Sequence, residues 1–421
     1  MVPERQITRR TFLGGAAATL GAAALGQPAL AQRTTRSRFD HVVVVMMENR
    51  SFDHLLGWLP RADGRQAGLT YLDAAGVPHA THALAPDFQG CGHADPDHSF
   101  AGGRTAFNGG ACDGWLRAGT NDDYAIGYYN QADLAFFGRA VPQWTTFSRY
   151  FAPIMAETYP NRIYQHAGQT DRITNTTTIS RLPTIWDRLA AKGVSRRYYF
   201  SDVPFLALWG TRYLSITRPI AQFFSNAAAG RLPSVAFIDP RFIDEGSGTA
   251  RDDHPHADIR NGQAFMARIY RAVTRSPNWS RTLLIFNYDE WGGFYEHVPP
   301  ATAPIPTADA LAGNADGLRG FRVPCLLVSP FARRRHVATD VYDHTSILRM
   351  IENRFSLPAL TVRTRTANDI ARELRVHPDV TAPRYDVPRG PFGGACPPTA
   401  APAEEQWEPL LALARRLHFP V

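Results

Sequence analysis

The sequence predicts an α/β protein with a doubly wound, mainly parallel sheet that is flanked by helices. Short apolar runs bounded by Pro, Gly or Asp are typical of buried strands, and they alternate with longer segments of helical periodicity. Strands that alternate with helices indicate a parallel sheet with a helix in each crossover. The 421 residues are 44% hydrophobic and 20% charged, a globular composition that can form a large core.

Residues 1–31 have the pattern of an export signal rather than of a folded element. Arg9 and Arg10 precede a weakly apolar, alanine-rich stretch that ends on the small-x-small pattern at Ala29-Leu30-Ala31. The arginine pair predicts a twin-arginine signal, with the twin-arginine export machinery as a partner. An ordinary secretory signal with a chance arginine pair is the alternative. The expected location is periplasmic or extracellular.

The remaining elements follow in order. After a polar linker (32–38), FDHVVVVMM predicts the first strand. Residues 60–125 are irregular, and such a long stretch is usually functional or poorly ordered. Further strands are predicted within the runs 195–203, 232–240, 281–290 and 321–330. Helices are predicted at 131–141, 182–193, 259–277 and 343–356, with a docking helix in 403–421.

Two predicted strands end directly in polar residues. Glu48 and Asn49 follow the first strand, and Asp289 and Glu290 follow the run TLLIFNY. Ligands of open α/β sheets bind outside the carboxyl ends of the strands. We therefore expect the two pairs to converge and form an oxygen-rich cation site. The alternative is that each pair only caps the next helix.

Several longer motifs occur in a fixed order. They are MMENRSFDHLLGWL (46–59), TYPNRIYQHAG (158–168), DDHPHADIRNGQ (252–263), YDEWGGFYEHV (288–298), GLRGFRVPCLLVSPF (317–331) and YDHTSILRMIENRF (342–355). Together they resemble the bacterial phosphoesterase family of phospholipases C and acid phosphatases, and plant non-specific phospholipases C are similar. The resemblance covers most of residues 38–360. It implies an alkaline phosphatase-like fold with a metal and a hydroxyl nucleophile.

The resemblance assigns a metal site and a nucleophile. Glu48, Asn49, Asp289 and Glu290 match the family's metal ligands, and Thr158 matches its nucleophile. These hard ligands favour one divalent ion with oxygen ligands, Ca²⁺, Mg²⁺ or Mn²⁺ rather than zinc. Such an ion lowers the pKa of a coordinated hydroxyl, so that Thr158 attacks in line and forms a phosphothreonine. A turn or capping role is the alternative for Thr158.

The same motifs supply acid–base and substrate-binding residues. His98, in DPDHSF, and His254, in DDHPH, match active-site histidines, and His254 is preferred as the acid that protonates the leaving group. Asn161, Arg162 and His256 are predicted to bind substrate. Bracing a turn is the alternative for Asn161 and Arg162. Loop positions without a role in catalysis are the alternative for all three histidines.

The predicted function is a secreted phosphoesterase that hydrolyses phospholipid phosphodiesters. An acid phosphatase that acts on monoesters at the same site is the alternative, and an exported binding protein with a degenerate site is a third. The division is a signal (1–31), a catalytic domain (32–395) and a helical tail (396–421). The substrate is a phospholipid or a small phosphate ester. No C-x-P-x-R or G-x-S-x-G segment indicates a sulfatase or a serine hydrolase.

Charge and unusual residues refine this prediction. The net charge is +7, and almost all of the basic residues are arginine. This positive charge favours an anionic substrate or a transient contact with a membrane surface. No basic tract predicts nucleic-acid binding. Outside the cytoplasm, Cys91 and Cys112 are placed to pair across a loop. Trp291 stands where many relatives have histidine, and we expect it to alter the pocket wall without abolishing activity.

Overall fold

The structure is a computed structural model that describes residues 39–397 and 406–421. The predicted export signal (1–31) and linker (32–38) lie outside the described residues. The strands are β1 (His41–Met47), β2 (Thr70–Leu72), β3 (Pro78–Ala80), β4 (His82–Ala83), β5 (Gly127–Tyr128), β6 (Thr145–Phe147), β7 (Tyr150–Phe151), β8 (Arg196–Phe200), β9 (Thr217–Pro219), β10 (Val235–Ile238), β11 (Thr282–Tyr288), β12 (Cys325–Val328), β13 (His336–Ala338) and β14 (Tyr342–Asp343). The α-helices are α1 (Phe52–Leu56), α2 (Phe100–Phe107), α3 (Phe137–Ala140), α4 (Thr158–Ala167), α5 (Ile185–Ala191), α6 (Ile220–Ala228), α7 (Ile259–Thr274), α8 (Thr307–Leu311), α9 (His344–Phe355), α10 (Val362–Thr366) and α11 (Glu408–Arg416).

One eight-stranded sheet organises the fold, with the strand order β13-β6-β12-β11-β1-β10-β8-β9. The central strand β1 pairs in parallel with β11 and β10, and the parallel pairing continues through β8 to β9. Only β12 runs antiparallel to its neighbours β11 and β6. The side chains of β10 and β11 are buried throughout, as expected for strands covered on both faces. The predicted mainly parallel sheet is confirmed.

Helices cover both faces of this sheet. Phe286 of β11 lies 5.5 Å from Phe136, whose ring lies 5.6 Å from Tyr270 of α7. The next strand residue, Asn287, donates to the amide oxygen of Gln165 in α4 at 3.2 Å. Successive strand residues point to opposite faces, so α7 and α4 lie on opposite sides. The fold is doubly wound, as predicted.

The helix predicted at 131–141 is wrong as a single element. The structure has a 3₁₀ turn at Gln131–Asp133, a break at Leu134, and then the short helix α3. The side-chain oxygen of Gln263 accepts hydrogen bonds from the N–H groups of residues 136 and 137, at 3.1 and 2.8 Å. These N–H groups would otherwise donate to carbonyls one turn back in a continuous helix. Gln263, which is distant in sequence, therefore interrupts the helix that the local pattern predicts.

The expected pairing of Cys91 with Cys112 is wrong. Cys91 forms a disulfide with Cys396, 305 residues away in sequence. Cys112 is a buried free thiol in an aromatic cluster with Trp115 and Phe321, and burial raises its pKa to about 12. The pairing follows from the path of the C-terminal segment, which returns to the loop that carries Cys91, and local spacing does not reveal that return.

The C-terminal segment packs against the rest of the protein. The predicted docking helix is present as α11, and its side chains Leu410, Leu413 and Ala414 are buried in the main hydrophobic core. All described residues belong to one compact unit. Among them, no helix has both the length and the hydropathy needed to span a bilayer.

Candidate active site

The two polar strand ends meet at one edge of the sheet. Because β1 and β11 are parallel neighbours, the pairs that follow them lie side by side, and the N–H of Asn49 donates to Oδ1 of Asp289 at 3.2 Å. Asn49 has a φ of 52°, a left-handed conformation that asparagine tolerates better than most residues. Glu48, Asn49, Asp289 and Glu290 are all fully buried. The structure therefore brings the predicted ligands together, and metal binding by them stays a prediction.

Thr158 lies beside this cluster at the start of α4. Its hydroxyl donates to Oδ1 of Asn49 at a distance of 3.4 Å. Thr158 is the first residue inside the helix, and the capping position belongs to Glu157. This placement disfavours the alternative that Thr158 is only a cap. A helix N-terminus also favours negative charge, which suits a phosphoryl group next to this hydroxyl.

Arg162 lies one helical turn after Thr158 and bridges the two strand ends. Its Nε is 3.0 Å from Oε1 of Glu48 and 2.9 Å from Oδ2 of Asp289, and its Nη1 is 3.1 Å from Oδ1 of Asp239. Burial by itself would lower the pKa of Arg162, but the charges of these carboxylates raise it above its ordinary value. The guanidinium is thus engaged with acidic side chains, and substrate binding by Arg162 stays a prediction.

Asn161 makes its contacts with the backbone ahead of α4. Its amide nitrogen donates to the carbonyls of Ala156 and Glu157 at 2.6 and 3.0 Å, and its oxygen accepts from the N–H of Ile154 at 3.2 Å. These bonds favour the alternative in which Asn161 braces the turn that presents Thr158. Its predicted contact with substrate remains untested.

The two predicted acid–base histidines are neighbours. The rings of His98 and His254 are 5.8 Å apart and nearly perpendicular. Nε2 of His98 lies 3.8 Å from Oε1 of Glu290, so this ring faces the predicted metal ligands. Nδ1 of His254 lies 3.2 Å from Oε2 of Glu245, and its Nε2 lies 3.6 Å from Oδ2 of Asp95. Carboxylates on both sides therefore orient the His254 ring.

The electrostatics of the site are dominated by buried acidic groups. Burial raises the pKa of Glu290 to about 8, although the charge of His98 opposes the shift. Burial also raises the pKa of Glu48 and that of Asp289, against the charge of Arg162. For His254, burial alone would lower the pKa, but the charges of nearby carboxylates raise it well above its ordinary value. Burial therefore disfavours the ionised forms of these carboxyl groups as long as no further cation lies beside them.

This cluster of buried oxygen atoms fits a divalent cation. Oε1 of Glu290 is buried without a hydrogen-bond donor, and a buried polar atom without a partner is costly. Ligand-type atoms lie within 4.8 Å of one another in the group Glu48, Glu245 and His254, and likewise in the group Asp95, His98 and His254. The residues that could hold an ion thus extend beyond the oxygen donors expected from the sequence.

Two carboxylates of the site were missed by the sequence prediction. Asp95 lies within the same DPDHSF segment as His98, so the sequence could have indicated that it belongs to the site. Glu245 lies in a glycine-containing loop without a motif, and only the fold brings it to His254. Burial raises the pKa of Glu245 to about 7, with the charge of His254 acting against the shift.

His256 and Trp291 lie at the margin of this cluster. Nε2 of His256 bonds to the carbonyl of His93, in the loop that also carries His98, and its role in substrate binding stays a prediction. Trp291 is fully buried, and its ring lies 5.2 Å from that of Phe321 in an aromatic cluster. Its indole supports the segment that follows β11 from within the core.

This parallel α/β sheet, with carboxylates at its strand ends and a threonine at a helix N-terminus, is the framework of a phosphoric ester hydrolase. The family model described as "Phosphoesterase family" matches residues 39–358, and the chain belongs to this family.

Curated relatives and solved structures are similar over most of the chain. Non-specific phospholipase C6 of Arabidopsis thaliana is 30% identical over an alignment of 391 residues, which covers 82% of this chain and 74% of the relative. Phospholipase C A of Mycobacterium tuberculosis is 29% identical, over 76% of this chain and 73% of the relative. A protein of the alkaline phosphatase superfamily from Vibrio parahaemolyticus is 8% identical, with a TM-score of 0.39, over 80% of this chain and 71% of its own.

Proposed function

We propose that this protein is an exported, metal-dependent phospholipase C that hydrolyses phospholipid phosphodiesters through a covalent intermediate on Thr158. The observation that carries the proposal is the 3.4 Å contact between the Thr158 hydroxyl and Asn49, at a helix N-terminus beside the buried strand-end carboxylates. The relatives named phospholipase C support the choice of a phosphodiester. The Cys91–Cys396 disulfide supports export, because disulfides persist mainly in oxidising compartments.

The first step is an in-line attack by Thr158. Thr158 reacts as its alkoxide, after its hydroxyl proton has been lost to solvent. As the bond between its Oγ1 and phosphorus forms, the bond from phosphorus to the diacylglycerol oxygen breaks. The headgroup phosphate then remains esterified to Thr158. In the second step, water gives a proton to His254 and attacks the same phosphorus, and the Thr158 oxygen leaves as the alkoxide.

His254 supplies the proton in the first step. The departing diacylglycerol alkoxide is strongly basic, so protonation by a positioned acid lowers the barrier. Contacts of His254 with Glu245 and Asp95 keep its ring oriented and favour the protonated form. After proton transfer, the neutral ring serves as the base that activates water. His98, which faces Glu290, is assigned to the phosphoryl oxygens.

The metal site would be held by Glu48, Asn49, Asp289 and Glu290. A divalent ion there supplies charge neutralisation for the anionic ester and lowers the pKa of the attacking hydroxyl. Carboxylate and amide oxygens favour Ca²⁺, Mg²⁺ or Mn²⁺. Oε1 of Glu290, which is buried without a hydrogen-bond donor, is one of the atoms that would bind the ion.

An acid phosphatase activity on monoesters is the second candidate, because the same nucleophile and acid would serve a phosphate with a single ester bond. The preference for a diester or a monoester substrate distinguishes the phospholipase C from the acid phosphatase. A transient contact with an anionic membrane surface accompanies only the first, and the net charge of +7 is compatible with it.

The test compares a phosphatidylcholine, the diester bis(p-nitrophenyl) phosphate and the monoester p-nitrophenyl phosphate. Each is measured with protein stripped by a chelator and then supplied with Mg²⁺, Ca²⁺ or Mn²⁺. We expect the lipid and the diester to be cleaved only after metal is restored. Rapid turnover of the monoester alone would favour the phosphatase. Full activity in the chelator would contradict metal dependence.

A further inference from the structure

The C-terminal segment reaches the predicted metal ligand Glu48. Nε1 of Trp407 lies 3.3 Å and Nε2 of Gln406 lies 3.4 Å from Oε2 of Glu48. The other carboxylate oxygen accepts from Nε of Arg162 at 3.0 Å. Donors from two directions therefore fix the carboxylate. Neither Gln406 nor Trp407 lies within residues 39–358, which the family model matches.

The position of Trp407 is set by packing in the core. Its side chain is 1% exposed, and its ring stacks on Phe242 with centroids 3.8 Å apart and an interplanar angle of 11°. The rings of Phe242 and Trp407 both lie near the guanidinium of Arg162, at 4.7 and 5.4 Å. The indole N–H is therefore held toward Glu48 by a rigid aromatic stack.

Gln406 also contacts the helix that carries the nucleophile. Its backbone carbonyl accepts from the hydroxyl of Tyr159, which directly follows Thr158. Its side-chain oxygen accepts from Nδ2 of Asn175 at 2.6 Å, and Oδ1 of Asn175 accepts from the N–H of Tyr159 at 2.7 Å. One C-terminal residue thus links the metal-ligand carboxylate to the first turn of α4.

We propose that Trp407 and Gln406 are positioning residues that hold Glu48 in the orientation needed to bind the metal ion. The C-terminal segment is then a working part of the active site. This inference rests on the proposed function, because it takes Glu48 to be a ligand. Partners that hydrogen-bond a metal ligand typically contribute 10- to 100-fold to metal affinity.

The test measures the Kd for Mn²⁺ alone by calorimetry on the chelator-stripped full chain. Trp407→Phe keeps an aromatic ring on Phe242 and removes the indole N–H, so we expect Kd to rise by about tenfold or more. Trp279→Phe is the matched control. Its indole donates to the carbonyl of Val380 at 2.7 Å in another part of the core, and its loss leaves Kd unchanged.

A second variant keeps the inference testable if Trp407→Phe fails to fold. Gln406→Leu removes the other donor at a side chain that is 7% exposed, and we expect a weaker Mn²⁺ affinity there too. If wild-type protein binds Mn²⁺ and neither variant changes Kd, the inference is overturned and the proposed function stands. If wild-type protein binds none of Mn²⁺, Mg²⁺ and Ca²⁺, the proposed metal site fails and this inference fails with it.

Discussion

Some residues predicted from sequence motifs are in direct contact in the structure. Thr158 and Asn49 were predicted from short motifs, and their side chains meet in the structure. Glu245 could not be predicted, because no pattern in its loop indicates that it will face His254. A residue within a recognisable motif can be predicted from the sequence. A residue in a loop without a motif can be assigned to the site only from the folded structure.

Replacing Thr158 tests the nucleophile. Thr158→Ala should lower kcat for the phosphodiester by at least about 10³, the scale of losing a covalent nucleophile. Mn²⁺ should still bind, because the four predicted ligands remain. Thr158→Ser keeps a hydroxyl and is the matched control, with most of the activity retained. Near-normal turnover by Thr158→Ala would mean that water or another residue attacks phosphorus.

Replacing His254 tests the general acid. The lipid expels a basic alkoxide, whereas bis(p-nitrophenyl) phosphate expels a stable anion that needs no proton. His254→Ala should therefore slow the lipid by about 10² to 10⁴ and the activated diester far less. His98→Ala should slow both substrates alike, since His98 is assigned to the phosphoryl oxygens. Equal losses on both substrates for His254→Ala would defeat the assignment.

Among the secondary-structure elements, the long and mainly apolar strands were predicted from the sequence, and the short strands were not. The buried strands β1 and β11 are seven residues long and mainly apolar, and they were predicted. The three-residue strands β6, β9 and β13 were missed, because so short a run has no readable period. Helix α4 was missed as well, and its polar and apolar residues are all buried.

Helix α9 anchors the strand end that carries the site. Nε2 of its first residue, His344, bonds to the carbonyl of Asp289 at 2.9 Å. Burial lowers the pKa of His344 to about 3, so the ring is neutral near neutral pH. Asp343 caps this helix by accepting from the N–H of Thr345 at 2.8 Å. Asp343 also contacts Arg363 and Arg319 at 2.9 and 2.7 Å.

Asp343→Asn should destabilise the fold. It leaves the buried Arg363 without its carboxylate, which typically costs about 3–5 kcal/mol of unfolding free energy. Urea unfolding measures the change. Asp379→Asn, at an exposed ion pair with Arg375, is the control and should have a much smaller effect. Equal effects of the two variants would show that the buried pair adds nothing.

The same carboxylate predicts a pH dependence. Burial by itself would raise the pKa of Asp343, but Arg363 and Arg319 hold it well below its ordinary value. A carboxylate with a lowered pKa in the folded state stabilises the fold above its unfolded pKa of about 3.9 and loses this contribution as pH falls. The stability difference between wild type and Asp343→Asn should be constant near neutral pH and shrink below about pH 4.

At the scale of the whole molecule, the C-terminal segment is tied back to the catalytic core. The Cys91–Cys396 disulfide and the buried helix α11 both hold it. The docking helix was predicted from the sequence of residues 403–421. The sequence did not predict the disulfide, because the pairing depends on where the chain returns after more than three hundred residues.

Removing the disulfide should lower stability without changing the chemistry. The double variant Cys91→Ser, Cys396→Ser should lose about 2–5 kcal/mol of unfolding free energy, the usual contribution of a native disulfide. A reductant should destabilise the wild-type protein in the same way and leave the double variant unaffected. Cys112→Ala should keep the sensitivity to reductant. If Cys112→Ala removes it, Cys112 is a disulfide partner after all.

In the proposed mechanism, Thr158 carries the phosphoryl group between two displacements. The most direct measurement is the stereochemical course at phosphorus, with a chiral phosphorothioate diester hydrolysed in ¹⁸O-labelled water. Each in-line displacement inverts the configuration, so two displacements through Thr158 predict net retention. Net inversion would show a single direct attack by water and would contradict the covalent intermediate.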